Sequence, residues 1–132
     1  MSIKDHLKSI FDTEEILSHA KELIMTDIKP SYTDILNRAS DFNDILVSVE
    51  GTLVVEYNNS YLEVGEDLIV HIYDHSFMNR ILDHVPCYVG GQYLYKDEGT
   101  ILQGIFYLKN DMFYLKEIQR VRIYRDDQIF EF

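Results

Sequence analysis

The chain has 132 residues, of which 23 are acidic and 12 are Lys or Arg, and its formal net charge at pH 7 is −11. Hydrophobic residues make up 46% of the sequence and charged residues 27%, a globular composition that excludes a disordered tail or a fibre. The length favours a single domain over residues 1–132. The one cysteine, Cys87, excludes an intrachain disulfide framework and is typical of a reducing compartment.

The charges and the apolar runs also bear on location and partners. We expect no secretory signal and no membrane span, because no apolar run approaches the roughly 20 residues that a span requires. This favours a cytoplasmic protein. The negative excess predicts a surface that repels nucleic acid and anionic lipid and attracts a basic partner. The same charge also keeps a protein soluble, and composition alone does not separate these two roles.

Three amphipathic helices are predicted in the first part of the chain, over residues 2–11, 13–25 and 32–42. Apolar residues recur at helical spacing in each segment. Each segment also begins with a residue pair at the spacing of a capping box. These pairs are Ser2 with Asp5, Asp12 with Glu15, and Ser31 with Asp34.

From residue 45 onward, β-branched and aromatic residues dominate and turn signals recur. Strands are predicted over residues 45–50, 52–57, 60–64, 68–73, 92–96, 101–108, 112–118, 120–125 and 128–132. Gly51 is expected to form a bulge or bend, a turn is predicted at 97–99, and a short helix is predicted at 76–82. Helices followed by hairpins predict an α+β fold, with a helical part at 1–44 and a sheet part at 45–132. We expect three N-terminal helices packed on a curved antiparallel sheet of about seven strands, shaped like a half-barrel or a cone.

Local catalytic and cofactor motifs are missing from the sequence. The glycines at 90–91, 99 and 104 lack the lysine and the strand-to-helix context that a phosphate-binding loop needs. No nucleophile elbow, zincin helix or paired-cysteine site is present. We therefore expect no cofactor and no enzymatic activity.

Four side chains have ligand types and spacings that zinc accepts: His71, His75, His84 and Cys87. His71 falls within a predicted strand and His75 beyond its end, so their side chains need not converge. A lone cysteine is more often a small buried apolar residue. We expect no metal here.

The order of elements resembles the nuclear-transport-factor-2-like fold, in which many members enclose a ligand pocket lined by Asp, His and Tyr. The resemblance implies a small-molecule pocket, a hydrolase or isomerase activity, and pocket residues His71, Tyr73, Asp74 and Tyr95. It covers the order of elements and no motif, and fold analogy does not establish a reaction. We keep it as the alternative function.

A basic stripe lies on one face of the predicted strand segments near the end of the chain: Lys116, Arg120 and Arg122. Three cations on one face suit an anion, but they also suit carboxylates on neighbouring strands. In so acidic a chain the second interpretation is favoured, and nucleic-acid binding is not expected.

The chain contains ten tyrosines, and several must lie at a surface because aromatic and aliphatic residues occupy both faces of some predicted strands. Tyrosine is a good strand former, but at a rim it also supplies large contact area at low entropic cost. Together with acidic residues it predicts a docking face. The residues expected to bind the partner are Glu50, Glu56, Tyr57, Tyr61, Glu63, Glu66, Asp67 and Asp74.

The leading hypothesis is therefore a small acidic binding protein that neutralises a positively charged protein partner. In size, charge and lack of motifs the chain is similar to immunity proteins that block bacterial toxin nucleases and to phage-encoded inhibitors of defence enzymes. An edge strand at 128–132 leaves both a monomer and a homodimer open.

Overall fold

The computed structural model describes residues 28–132. Six strands dominate it: β1 (Leu46–Glu56), β2 (Asn59–Val64), β3 (Leu68–Tyr73), β4 (Tyr95–Lys109), β5 (Met112–Arg125) and β6 (Gln128–Glu131). Helix α1 (Tyr32–Arg38) continues into a 3-10 turn (Ala39–Phe42), and helix α2 (Phe77–His84) lies between β3 and β4. Neither helix is long and apolar enough to cross a membrane, and residues 28–132 contain no other.

The sheet closes on itself. Its strand order is β3-β2-β1-β4-β5-β6, and β3 also pairs in parallel with the start of β5, from Val70 opposite Phe113 to Tyr73 opposite Lys116. Five strands therefore form a closed barrel, and β6 extends the sheet beside the second half of β5. A small barrel of five strands is also the architecture of the OB fold.

The predicted architecture of three helices on an open curved sheet is wrong. An open sheet needs helices to cover its apolar face, whereas closure through β3 and β5 turns that face into a barrel interior. The helices predicted at 2–11 and 13–25 lie outside the described residues. The third prediction is confirmed as α1 with its 3-10 turn, including the reciprocal capping box between Ser31 and Asp34.

The predicted number of strands is also wrong, because short segments merge into long bulged strands. The expected bulge at Gly51 is confirmed by a register shift between Gly51 and Leu53, and β1 runs through it. The turn predicted at residues 97–99 lies within β4. In β5 the strand continues past Glu117, whose φ of 51° marks a second irregularity opposite Gly104. A strand twisted enough to close a small barrel needs such bulges.

Side chains fill the barrel interior. Its largest fully buried residues include Leu53, Leu62, Leu102, Phe106 and Leu115. Helix α2 packs against this core through buried Phe77 and Ile81. The buried Tyr95 donates its hydroxyl proton towards the carbonyls of Val85, at 2.6 Å, and Ile81, at 3.3 Å. α2 and the segment after it are thus fastened to the barrel.

Candidate functional site

The outer side of β1 and β2 carries three of the predicted partner-binding residues close together. In the antiparallel register Val54 lies opposite Tyr61, Thr52 opposite Glu63 and Glu56 opposite Asn59. Because alternate side chains share one side of a strand, Glu56, Tyr61 and Glu63 project outward together. With Glu50, which is exposed further along β1, they form what we call the acidic face.

The pKa of Tyr61 is affected by both neighbouring carboxylates. Partial burial raises the pKa of the Tyr61 phenol, and the negative charges of Glu56 and Glu63 raise it further. Both carboxylates therefore act on one ring from either side of it. An anionic phenol would be repelled here, so Tyr61 stays a neutral hydroxyl near pH 7.

The carboxylates of the acidic face are not neutralised within residues 28–132, where neither Glu50, Glu56 nor Glu63 forms an ion pair. Glu56 accepts one long hydrogen bond from Gln92, at 3.4 Å. The nearby cation Lys96 lies across β1, opposite Val54, and its ammonium sits 4.8 Å from the ring centre of Tyr93.

The arginines, in contrast, make intramolecular ion pairs or hydrogen bonds away from the acidic face. Arg38 pairs with Asp34 and Asp41, Arg120 and Arg122 with Glu131, and Arg125 with Asp97. Arg80 donates to the backbone carbonyls of Ile118 and Gln119. None of these arginine contacts involves Glu50, Glu56 or Glu63, so the arginines do not offset the negative charge of the acidic face.

The other predicted binding residues extend this face along the barrel. Tyr57, 76% exposed, is at the tip of the β1–β2 turn, while Glu66 and Asp67 occupy the β2–β3 turn at the other end of β2. Six residues of strand separate these turns by about 17 Å. Asp67 accepts a hydrogen bond of 2.7 Å from the Tyr32 hydroxyl, which raises the pKa of that phenol.

Asp74 has a different environment. It lies beyond the far end of β3, where one carboxylate oxygen accepts from the backbone and hydroxyl of Ser76, both at 2.9 Å. The other accepts from the Ile118 backbone at 2.7 Å. Partial burial raises the pKa of Asp74, but these hydrogen bonds outweigh it and hold the pKa below its ordinary value. The carboxylate ties the start of α2 to β5.

The proposed zinc ligands are not brought together. His84 contacts the carbonyl of Arg80 through Nδ1 at 2.7 Å and stacks on Phe132 with 4.5 Å between ring centroids. His71 instead lies beside Tyr114, on the outer side of the barrel. Residues 28–132 contain no group of three or more His, Cys, Asp or Glu side chains arranged to hold a metal ion.

The pocket residues implied by the nuclear-transport-factor-2-like resemblance do not converge either. Tyr95 is buried inside the barrel, whereas Tyr73 is 63% exposed on its outer side. Asp74 is occupied by Ser76 and Ile118. The interpretation of the basic stripe as internally paired is confirmed, because Lys116 pairs with Asp44, and Arg120 and Arg122 both pair with Glu131.

Sequence reasoning missed one cluster, in which Tyr73 from β3, Tyr107 from β4 and Tyr114 from β5 line a cavity together with Lys109 and Lys116. Tyr73 lies some 40 positions from the two β5 residues it approaches, and the barrel closure brings them together. No local spacing in the sequence signals that contact.

Comparisons of this chain with protein-family models, with curated proteins and with solved structures find no match.

Proposed function

We propose that this chain is a small acidic binding protein that docks a positively charged protein through the acidic face. One observation carries the proposal: Glu56 and Glu63 flank Tyr61 on an outer strand surface, and no ion pair within residues 28–132 neutralises them. Each carboxylate keeps its negative charge on the outer strand surface. A cationic partner would offset that charge on binding.

The tyrosines give the same face its contact area. Tyr57 projects from the β1–β2 turn and Tyr61 lies between the two carboxylates. Tyrosine buries a large apolar ring at small entropic cost and is enriched among the residues that dominate binding energy at protein interfaces. The carboxylates would then steer the encounter, and the rings would slow dissociation.

The fold supports a protein partner in preference to nucleic acid on this face. Barrels of the OB fold use the outer side of β2 and β3 and the adjoining loops to bind oligonucleotides. Here that side carries Glu63 on β2 and Glu66 and Asp67 in the turn to β3, which repel phosphate. The complementary ligand is a basic surface, such as one that itself holds nucleic acid.

A partner of that kind defines the biological role that we propose. A toxin nuclease or a nucleic-acid-processing defence enzyme has a cationic cleft, and a protein that fills this cleft blocks it without any catalysis of its own. The chain would then act in the cytoplasm as an immunity protein or as a phage-encoded inhibitor.

Site-specific photo-crosslinking tests which face binds. A photoreactive phenylalanine replaces Tyr57 in one variant and Leu82, an exposed residue of α2, in the control. In the source cells we expect the variant at 57 to crosslink a basic protein and the variant at 82 not to. Equal crosslinking from both positions, or an acidic crosslinked protein, would contradict the proposal.

The purified partner then permits a kinetic test. We expect the association rate constant to fall about tenfold or more between about 50 mM and about 300 mM NaCl, because salt screens charge steering. Glu63→Lys should lower that rate constant at low salt. Asp83→Lys makes the same change of charge on exposed α2 and should have a much smaller effect. An association rate constant that does not change with salt would contradict docking steered by charge.

A further inference from the structure

Closure of the barrel creates a second surface site, on the outer side of β3, β5 and β4. Its residues are Tyr73, Tyr107, Lys109, Tyr114 and Lys116, which line a cavity of about 310 Å³. In the sheet register Tyr107 lies opposite Tyr114, and Tyr73 opposite Lys116. We call this site the aromatic–lysine pocket.

The walls of the pocket are aromatic. The Tyr114 ring is central, with its centroid 6.0 Å from that of Tyr107 and 6.3 Å from that of Tyr73. The Tyr73 and Tyr114 rings meet edge to face, with an angle of 74° between their planes. Tyr73 is 63% exposed, and its ring also lies 6.1 Å from that of His75. A flat apolar ligand gains stacking contact there at little cost to the protein.

Several polar groups of the pocket have no hydrogen-bond or ion-pair partner within residues 28–132, although Lys116 has one. Lys116 places its ammonium 4.5 Å from the ring centre of Tyr107 and 3.7 Å from an Asp44 carboxylate oxygen. Lys109 makes no ion pair within residues 28–132. In the same part of the chain the hydroxyls of Tyr73 and Tyr107 make no hydrogen bond, while that of Tyr114 points to the Met112 sulfur at 3.7 Å.

We propose that the aromatic–lysine pocket binds a small molecule in which one aromatic ring carries one anionic group, either a carboxylate or a phosphate. The ring would stack on the tyrosines. The anion would accept hydrogen bonds from Lys109 and a tyrosine hydroxyl.

Size and charge limit the ligand further. A volume of about 310 Å³ is at the lower end of the range for small-molecule sites, which suits a single ring system. The net charge of −11 repels free anions, so an anion alone should bind poorly without the contact of the ring. The pocket uses the outer side of β3, β5 and β4, so the proposal does not depend on the acidic face of β1 and β2.

The experiment titrates the full chain with phenyl phosphate and with benzoate, followed by the amide chemical shifts and by calorimetry. Inorganic phosphate and phenol serve as half-ligands. We expect at least one of the two aryl anions to bind at the pocket, at least about tenfold more tightly than either half-ligand, since the ring and the anion act together. The tighter aryl anion identifies the anionic group.

Variants locate the binding. Lys109→Gln and Tyr107→Leu should each weaken the better probe about fivefold to tenfold, the scale of an exposed charge-assisted contact or a lost stacking ring. Lys96→Gln is the matched control, because Lys96 is an exposed lysine like Lys109 but lies away from the pocket. It should leave the affinity unchanged.

Any one of three results would overturn the proposal. The first is that neither aryl anion shifts the pocket amides. The second is that Lys96→Gln and Lys109→Gln weaken binding equally, which would show that the anion is attracted by the overall charge and not held by the pocket. The third is that a single-stranded oligonucleotide occupies the pocket while both aryl anions fail. Amide spectra of each variant verify the fold, and Tyr73→Leu, on the exposed rim, replaces Tyr107→Leu if that variant unfolds.

Discussion

At the scale of single residues, the most buried ion pair within residues 28–132 joins Asp97 and Arg125. Arg125 donates from Nε at 2.7 Å and from Nη2 at 2.8 Å to the two carboxylate oxygens, and the Asp97 side chain is 2% exposed. The hydrogen bonds and the charge of Asp97 raise the pKa of Arg125 despite its partial burial. Arg125 also donates to the carbonyl of Pro86, so the pair fastens the segment after α2 to β5.

Replacement of Asp97 should therefore be costly. Asp97→Asn leaves the guanidinium of Arg125, 13% exposed in its side chain, without its counter-charge. We expect the free energy of unfolding to fall by about 3 kcal/mol, as is usual when one partner of a buried pair is removed. The measurement is urea denaturation. Glu131→Gln, which removes the partner of exposed Arg122, is the control and should cost less than about 1 kcal/mol. Equal losses would contradict the role of burial.

Asp74 predicts a dependence of stability on pH. Its pKa is lowered in the folded state, so at acidic pH the unfolded chain binds the proton more readily. Its contribution to stability is complete above the unfolded pKa of about 4 and is lost as the pH falls through the lower folded pKa.

The variant Asp74→Asn keeps a carbonyl acceptor but removes the titration. We expect a flatter dependence of the free energy of unfolding on pH below about 4 than in the parent chain. Asp83→Asn, on the exposed side of α2, should leave the parent dependence intact. If Asp74→Asn and the parent lose stability in parallel, the hydrogen bonds to Ser76 and Ile118 are not linked to acid unfolding.

At the scale of elements, local patterns predicted where strands occur but not where they stop. The strand at 68–73 is confirmed residue for residue as β3, and the helix predicted at 76–82 is found as α2. The turn predicted at 97–99 is wrong, since Asp97 and Gly99 pair with neighbouring strands. A glycine with charged neighbours is typical of a turn in sequence. The strand register gives the actual reason for Gly99: a Cβ there would lie 3.0 Å from the carbonyl oxygen of Tyr124 on β5.

Gly51 makes that crowding testable. A Cβ at this position would collide with the carbonyl oxygen of Glu63 on β2 and lie 3.1 Å from Cγ of Leu62. Because backbone blocks it, Gly51→Ala must displace β2, and we expect a loss of about 2 to 3 kcal/mol in the free energy of unfolding. Gly91→Ala is the control: no atom lies within 4 Å of the place its methyl group would take, so stability should change by less than about 0.5 kcal/mol. Similar effects of both substitutions would refute a close approach at β1.

At the scale of the whole molecule, the closure of the barrel is what sequence patterns could not supply. The pairing of β3 with β5 is parallel and joins residues about 40 positions apart, so no turn signal or local spacing in the sequence predicts it. The acidic face needs only β1, β2 and the turn between them, which are neighbours in sequence, so local patterns could place its residues near one another. Their role in binding stays a prediction. The aromatic–lysine pocket needed the closure and was missed.

The charge of the whole molecule sets one further expectation for the acidic face. Glu56 and Glu63 form no ion pair within residues 28–132, so in a chain of net charge −11 both add to the self-repulsion that lowers stability. The double variant Glu56→Gln/Glu63→Gln removes two of these charges and should gain about a few tenths of a kcal/mol in the free energy of unfolding at low salt.

That gain should vanish in about 0.5 M NaCl, because the ions screen the repulsion. At low salt the double variant should also bind the proposed basic partner more weakly than the parent chain does. Urea denaturation at both salt concentrations measures the first effect, and association kinetics measure the second. Asp83→Asn, isolated on α2, should show neither. A double variant that is less stable than the parent at low salt would mean that these carboxylates hold the barrel together, and the acidic face would lose its claim to be a docking surface.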